Sequence, residues 1–371
     1  MPILEKIVVQ DFRNIALQEL AFSPNVNCIW GNNGEGKTNL LDAVHYLSMT
    51  KSAFSPVDRF NFRYGCDAFS IAGTYRMPSD LLTRFSIRVS AGGEKKLRRD
   101  DKPYTKISDH IGVLPVVMVS PSDTALVSES GDERRRFVNS VLSQLDREYL
   151  ASMQQYNRLL LQRNRLLKDG VADEGLLDAF DARLSALAGP LYERRRQCVP
   201  ELLPAVQDYY ARISGGRETV SIRYRSDLAK GDLASLLAAS REKDRMLKFT
   251  SAGLQRDDFL FEMDGYPIRK CGSQGQQKSF LVSLKFAQYE IMRERYGYPP
   301  ILLLDDLFDK LDMDRVAHLL SMVAGNDFGQ IFFTDADPDR LSRIVGTITD
   351  QYSYYIAENG CFIPRKTDGN A

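Results

Sequence analysis

One stretch constrains the chain more than any other: Trp30-Gly31-Asn32-Asn33-Gly34-Glu35-Gly36-Lys37-Thr38-Asn39. The apolar segment before it, Val26 to Trp30, reads as a buried strand. After it Leu40, Leu41, Val44 and Leu47 recur at helical spacing. The loop fits G-x-x-x-x-G-K-[ST], in the strand–loop–helix order that this phosphate-binding pattern requires. Gly31, Gly34 and Gly36 free the backbone to turn, so that several N–H groups point into one concavity. The helix start adds its positive end. In such a loop Lys37 reaches the β- and γ-phosphates, and the Thr38 hydroxyl binds Mg²⁺.

The chain is long enough, at 371 residues, for one large or two ordinary domains, and 43% of it is hydrophobic. Lysine plus arginine equals aspartate plus glutamate at 49 each, so any nucleic-acid surface must be local. Cys28, Cys66, Cys198, Cys271 and Cys361 are scattered without a C-x-x-C pair. That pattern points to reduced thiols in a cytoplasmic chain. The first residues show no signal-peptide pattern. No apolar run approaches the ~20 residues of a membrane helix. His45, His110 and His318 have no metal-site spacing.

Residues 3 to 10 and 17 to 22 read as a hairpin before the glycine loop, with Asp11-Phe12-Arg13-Asn14 between them. Arg13 is either a surface charge or a residue lining the nucleotide site. Phe69 to Val89 reads as strands and Gly92-Gly93 as a turn. The following Lys95, Lys96, Arg98 and Arg99 form either a solvated hairpin tip or a phosphate contact. Leu114 to Val119 is a short buried strand. From about Glu133 the texture becomes helical, with Pro200 and Pro204 expected to interrupt it. This helical insertion carries Arg134-Arg135-Arg136, Arg158, Arg163, Arg165 and Arg194-Arg195-Arg196. Such clusters are read either as solvated faces or as a DNA-backbone surface.

Three pieces follow the insertion. Gly272-Ser273-Gln274-Gly275-Gln276-Gln277 opens a helix and is a second candidate anion loop. Ile301-Leu302-Leu303-Leu304-Asp305-Asp306 is a buried strand ending in two acids. Asp305 suits the Mg²⁺ ligand, and Asp306 suits the group that polarises an attacking water. Phe308-Asp309-Lys310-Leu311-Asp312 follows. A last buried strand, Gln330 to Asp335, places Thr334 where a γ-phosphate sensor would sit.

This order of motifs resembles the ABC-type ATPase head, and more closely the RecF family, over nearly the whole chain. Further passages carry the resemblance: Ser130-Gly131-Asp132-Glu133-Arg134-Arg135-Arg136-Phe137, Gln162-Arg163-Asn164-Arg165-Leu166-Leu167 and Arg256-Asp257-Asp258. It implies an α/β, two-lobed ABC-type ATPase head with a P-loop sheet core, a mainly helical insertion lobe and no long coiled coil. Residues 1–124 plus 250–365 would form the ATPase lobe, 125–249 the helical lobe, and 366–371 a frayed tail. ATP and Mg²⁺ are the implied cofactors. The implied ATP site is Gly31, Asn32, Asn33, Gly34, Glu35, Gly36, Lys37, Thr38 and Asn39, with Arg13. Lys37 and Asp306 would be catalytic, and Thr38 and Asp305 would hold Mg²⁺. Ser273, Gly275 and Gln276 would close in trans on a partner subunit's nucleotide, with Asp309 and Asp312 in the D-loop. Arg134, Arg135, Arg136, Arg163 and Arg165 are the implied DNA contacts.

The implied activity is weak, DNA-stimulated ATP hydrolysis, used as a switch in recombinational gap repair, replication and the damage response. The implied partners are double-stranded DNA and gap junctions, RecR-like and RecO-like proteins, and a second copy bound through ATP. They include no membrane. RecA loading would be favoured. The chain departs from the family pattern at Gly253-Leu254-Gln255, where glycine-proline-histidine is usual. It also lacks a glutamine after the 114–119 strand, where Ser120, Ser122 or Asp123 stands instead. Thr334 occupies a position where ABC heads often carry histidine, which implies slow hydrolysis. Asp309 stands where serine or alanine is common. A transporter motor would need the glutamine loop and the switch histidine. A small-molecule kinase would have no use for Ser273 to Gln277.

Overall fold

The computed structural model describes residues 1–129, 131–170, 174–306, 329–337 and 352–365. In chain order it begins with β1 (Ile3–Phe12), β2 (Ile15–Ala21), β3 (Val26–Trp30) and α1 (Lys37–Met49). Then come β4 (Ala68–Arg76), β5 (Leu82–Ser90), β6 (Lys95–Arg99), β7 (Lys102–Pro103) and β8 (Val116–Val119). Helices α2 (Ala125–Ser128), α3 (Gly131–Leu145), α4 (Arg147–Asp169) and α5 (Glu174–Ser214) follow. Next are β9 (Val220–Arg225), α6 (Leu233–Leu247), β10 (Asp258–Met263), β11 (Tyr266–Pro267), α7 (Ile268–Cys271) and α8 (Gln274–Tyr296). The last described strands are β12 (Ile301–Asp305), β13 (Ile331–Asp335), β14 (Tyr352–Glu358) and β15 (Cys361–Pro364).

The chain divides into two compact units, residues 1–123 with 285–371 and residues 124–284. In the first unit, one six-stranded sheet is antiparallel with order β2-β1-β4-β5-β6-β7. The other has order β15-β14-β3-β13-β12-β8, and only β15 runs antiparallel to its neighbour. Strands β12 and β13 are buried at every residue, as expected of parallel strands covered on both faces. Helix α1 touches strands of both sheets. Ten of its thirteen residues are buried, so it lies between the sheets and shows no single apolar stripe. Gln330 is fully buried and ties the sheets together, bonding both the N–H and the carbonyl of Leu4 at 2.8 Å.

The second unit packs α3 to α6 with the three-stranded sheet β11-β10-β9. Its boundaries differ from the expected ones. Residues 250–284, assigned from sequence to the ATPase lobe, fall in this unit because β10 pairs along the whole of β9. Pro200 and Pro204 do not interrupt a helix either. They lie, with Pro190, inside α5, which is 41 residues long and so spans about 60 Å. The reason is packing. Leu184, Ala188, Leu191, Cys198, Leu202, Val206, Tyr210 and Ile213 form one buried stripe through all three prolines. That burial outweighs the ~3 kcal/mol each interior proline costs. Among the described residues there is no long coiled coil, and no helix is long and apolar enough to cross a membrane.

Candidate nucleotide site

The glycine loop links β3 to α1. Gly34 and Gly36 have φ of +91° and +104°, a conformation that L side chains rarely adopt. Gly31 is glycine for another reason: a Cβ there would stand 2.4 Å from the carbonyl oxygen of Ala357 on β14. The Lys37 Nζ is buried in the loop, donating to the carbonyls of Gly31 at 2.7 Å and Asn32 at 3.2 Å.

Parallel pairing places β12 beside β13, and β13 beside β3. This brings the end of β12 to the first turn of α1. The Thr38 hydroxyl lies 2.9 and 2.8 Å from the two carboxylate oxygens of Asp305. Thr334, next door on β13, donates to Asp305 Oδ1 at 2.7 Å. It also accepts the Asp306 N–H at 3.0 Å. Asp306 itself has φ +41°, a left-handed kink that ends the strand. Burial pushes the Asp305 carboxyl above the usual carboxylate range; the Thr334 and Thr38 hydroxyls oppose this, and neighbouring Asp306 adds to it. A buried carboxylate beside a hydroxyl is a hard oxygen pair suited to Mg²⁺. Thr38 and Asp305 would supply such an ion with two oxygen ligands.

A polar network supports the loop and α1. The turn between β1 and β2 closes over α1. Arg13 pairs with fully buried Asp42 at 2.7 Å and bonds Asn39 Oδ1 at 3.0 Å and Ser52 Oγ at 2.9 Å. Its Nε and Nη2 reach Asn61 Oδ1 at 3.3 Å. Arg13 therefore holds the helix that carries Lys37 and Thr38. Asn39 donates to Asn14 Oδ1 at 2.7 Å. The β14–β15 turn grips the loop from the far side: the Gly360 N–H bonds the Glu35 carbonyl at 2.9 Å, and the Asn359 N–H bonds the Glu35 carboxylate. After β8, Ser120 Oγ bonds Ser122 Oγ at 2.7 Å, and Asp123 pairs with Lys285 at 2.8 Å.

In the second unit, Ser273 and Gln276 cap α8. The Gln276 N–H donates to Ser273 Oγ at 3.3 Å, and the Ser273 N–H donates to Gln276 Oε1 at 2.7 Å, a reciprocal capping box. Gln276 Nε2 also reaches Glu218 at 2.8 Å. Ser273 is exposed and Gly275 half-buried. Asp309 and Asp312 lie outside the described residues.

Two of the five arginines expected to meet DNA cannot do so. Arg134 is buried against Asp258, with bonds of 2.8 and 3.2 Å. Arg163 is fully buried between Asp181 at 2.6 Å and Asp244 at 2.8 Å. A guanidinium so deep must be paired, and these are. Arg195 is likewise buried, against Asp257 at 2.5 Å. Arg135 folds back onto the Asp257 carbonyl and Asp132. Arg136 and Arg165 are exposed, each with an acid of its own helix, Glu133 and Asp169.

A P-loop between two six-stranded sheets, an acid pair on the adjoining strand and a helical second unit define an ATPase head of the ABC/SMC class. In agreement, a family model described as an AAA domain matches residues 6–188. An Smc head domain derived from Pyrococcus furiosus aligns at a TM-score of 0.56 and 14% identity, over 98% of this chain and 96% of that one. The DNA replication and repair protein RecF of Porphyromonas gingivalis is 43% identical over 359 residues, covering 96% of this chain and 99% of that protein. That of Flavobacterium johnsoniae is 39% identical, covering 95% and 99%. The chain belongs to the RecF family of DNA replication and repair proteins. A solved structure of the recombination mediator protein RecF with ATP, in the RecFOR pathway, aligns at a TM-score of 0.88 and 27% identity over 98% of both chains.

Proposed function

We propose that the protein is an ATP-switched DNA-binding ATPase of recombinational gap repair and replication, working in the cytoplasm. The observation that carries this reading is the contact between Thr38 and Asp305, which joins a phosphate loop to an acidic strand end beside Lys37. The solved RecF–ATP structure supports it. The N–H groups of residues 31–39 and the Lys37 ammonium hold the β- and γ-phosphates. Thr38 and Asp305 would hold Mg²⁺, which would neutralise charge on the phosphates. Thr334 orients Asp305 and the Asp306 backbone; its hydroxyl is committed to both, so it acts through them and not as a direct sensor. The Asp306 carboxylate orients and polarises the attacking water. Thr334 stands at the sensor position where ABC heads often carry a histidine, so hydrolysis is slow, and DNA stimulates it.

The exposed Ser273–Gly275 helix start supplies anion-binding N–H groups to the γ-phosphate held by a second copy. Asp309 and Asp312 belong to the same interface. ATP then favours the dimer because this contact exists only with a γ-phosphate present. The dimer is the form that holds double-stranded DNA at gap junctions. There it meets RecR-like and RecO-like partners and favours RecA loading. The test is the solution mass with ATP and Mg²⁺, then with ADP, run beside Asp306→Asn to slow turnover. A dimer with ATP alone supports the proposal. A monomer throughout, with ATP binding demonstrated, overturns it.

A further inference from the structure

The basic run Lys95-Lys96-Leu97-Arg98-Arg99 is divided by the pleat of β6. Lys95, Leu97 and Arg99 stand opposite Val89, Ile87 and Phe85 of β5, which are all buried. Lys95 is held on that inner side: its Nζ bonds the Thr50 carbonyl at 2.8 Å, pairs with Asp58 at 2.9 Å and lies 5.1 Å from the Tyr46 ring centre. Arg99 lies 5.7 Å over the Phe85 ring. Lys96 and Arg98 point the other way, opposite Arg88 and Ser86. Arg84 is further along the same face of β5, and all four cations are exposed.

This arrangement is electrostatically unfavourable by itself. Arg88 and Lys96 are directly opposed, and like charges so placed repel. Among the described residues Arg88 and Arg98 have no ion-pair partner. The pairs Lys96–Glu94 at 3.1 Å and Arg84–Asp101 at 3.9 Å are exposed and weak. In a chain of zero net charge, such a face is a local positive field. Beside it on β4, Ser70, Ala72 and Thr74 stand opposite Arg88, Ser86 and Arg84. These small side chains leave a flat floor. From Arg84 to Arg88 the cations extend about 13 Å along the strand. The aromatic residues Phe69, Tyr75 and Phe85 of β4 and β5 are buried, so this face offers no ring for an unpaired base to stack upon.

We infer that the outer face of β4, β5 and β6 is a phosphate-backbone contact surface for duplex DNA, with Arg88, Lys96 and Arg98 as its principal cations. The inference rests on the DNA-binding reading above and moves the contact from the buried arginines of the helical unit to this sheet. Its test is fluorescence anisotropy of a labelled duplex oligonucleotide with the full chain, ATP and Mg²⁺, across a salt series. The Arg88→Ala/Lys96→Ala/Arg98→Ala variant is compared with wild type. Loss of three phosphate contacts lowers the slope of log K against log salt by about 2.7 and weakens binding by at least about tenfold. Arg98→Ala alone lowers the slope by about 0.9. An unchanged thermal midpoint and ATP-dependent mass show that the variants are folded. Wild-type binding with unchanged variant binding overturns the inference and leaves the DNA reading standing. No duplex binding by wild type overturns both. Loss of binding to poly-glutamate or to anionic vesicles, with duplex binding intact, reassigns the face to an acidic protein or a membrane surface and also overturns it.

Discussion

The Thr38 hydroxyl sits 2.8 Å from Asp305 Oδ2, although 267 residues separate the two in the chain. Thr334 holds the same carboxylate from its other side at 2.7 Å. Two hydroxyls thus solvate an acid that burial otherwise keeps from ionising easily. Such a charge is costly alone and favourable once a cation counters it.

That relationship gives Asp305→Asn a divided phenotype. Asp305 has a raised folded-state pKa, so its charge opposes folding above the usual carboxylate range and is relieved as pH falls. At pH 7 the neutral amide is expected to leave the thermal midpoint unchanged or raise it. The same variant is expected to lose the further rise that ATP with Mg²⁺ produces in wild type. Scanning calorimetry with and without nucleotide measures both. A lower midpoint without nucleotide would show that Asp305 has a structural role independent of a cation.

Lys37→Ala removes a buried ammonium held by the loop carbonyls of Gly31 and Asn32. A charge-assisted contact is worth about 1.5–3 kcal/mol, so ATP affinity is expected to fall by roughly 10- to 150-fold. Isothermal titration with ATP and Mg²⁺ is the measurement. Affinity within about twofold of wild type would remove Lys37 from the phosphate site.

What could be read in advance follows from how local each signal is. Gly34, Gly36 and Lys37 were legible because their geometry is set within one loop. Asp305 was legible because four aliphatics before an acid announce a buried strand end. Arg134 was misread because an arginine cluster looks the same whether its carboxylate is solvent-facing or supplied by Asp258, 124 residues on. Arg13, Asp42, Ser52 and Asn61 form one network whose members lie on four separate segments, and no spacing rule connects them. Pro200 and Pro204 misled because the proline rule is local. The buried stripe from Leu184 to Ile213, present in the sequence, was the stronger signal.

Ser273 has two separable roles. As the cap of α8 it is worth about 1 kcal/mol, so Ser273→Ala is expected to lower stability by that amount, measured by urea unfolding. As a proposed trans contact it lies on the exposed surface. Ser273→Arg is expected to bind ATP normally and remain a monomer by light scattering, because the larger side chain blocks a partner's approach. Normal dimerisation by Ser273→Arg would place the interface elsewhere.

His110 makes stability depend on pH. Its Nε2 lies 2.8 Å from the Leu47 carbonyl, which can only accept, so that nitrogen carries the proton; Nδ1 then accepts from the Tyr104 hydroxyl at 3.1 Å. Burial pulls its pKa from 6.5 down to about 4, and that of His45 to about 3. Above pH 6.5 both imidazoles are neutral whether the chain is folded or not. Below it the unfolded chain takes up protons that the folded chain refuses, so stability falls as pH drops from 6.5 towards 4. Each histidine contributes a slope of at most about 1.4 kcal/mol per pH unit. His110→Gln is expected to lower stability at pH 7 and to remove about half of the histidine slope in this window. Urea midpoints at several pH values test it; an unchanged slope would show that His110 protonates freely in the fold.

Arg163 offers the sharpest division between a structural and a DNA role. Its Nε bonds Asp181, its Nη1 bonds Asp244 and the Thr250 hydroxyl, and its side chain has no solvent exposure. Asp244 in turn accepts from the Ser251 N–H and hydroxyl, and Asp181 also meets Arg241. Arg163→Met leaves two carboxylates in the interior without their principal cation. The expected loss is about 3–5 kcal/mol of stability, since the desolvated acids are no longer compensated. Duplex binding by the protein that remains folded is expected to match wild type at every salt concentration, because the guanidinium cannot reach a phosphate without unfolding α4. Urea unfolding and anisotropy on the same preparation decide the matter. An unchanged unfolding midpoint together with weaker DNA binding would make Arg163 a DNA contact and would mean that α4 opens in solution.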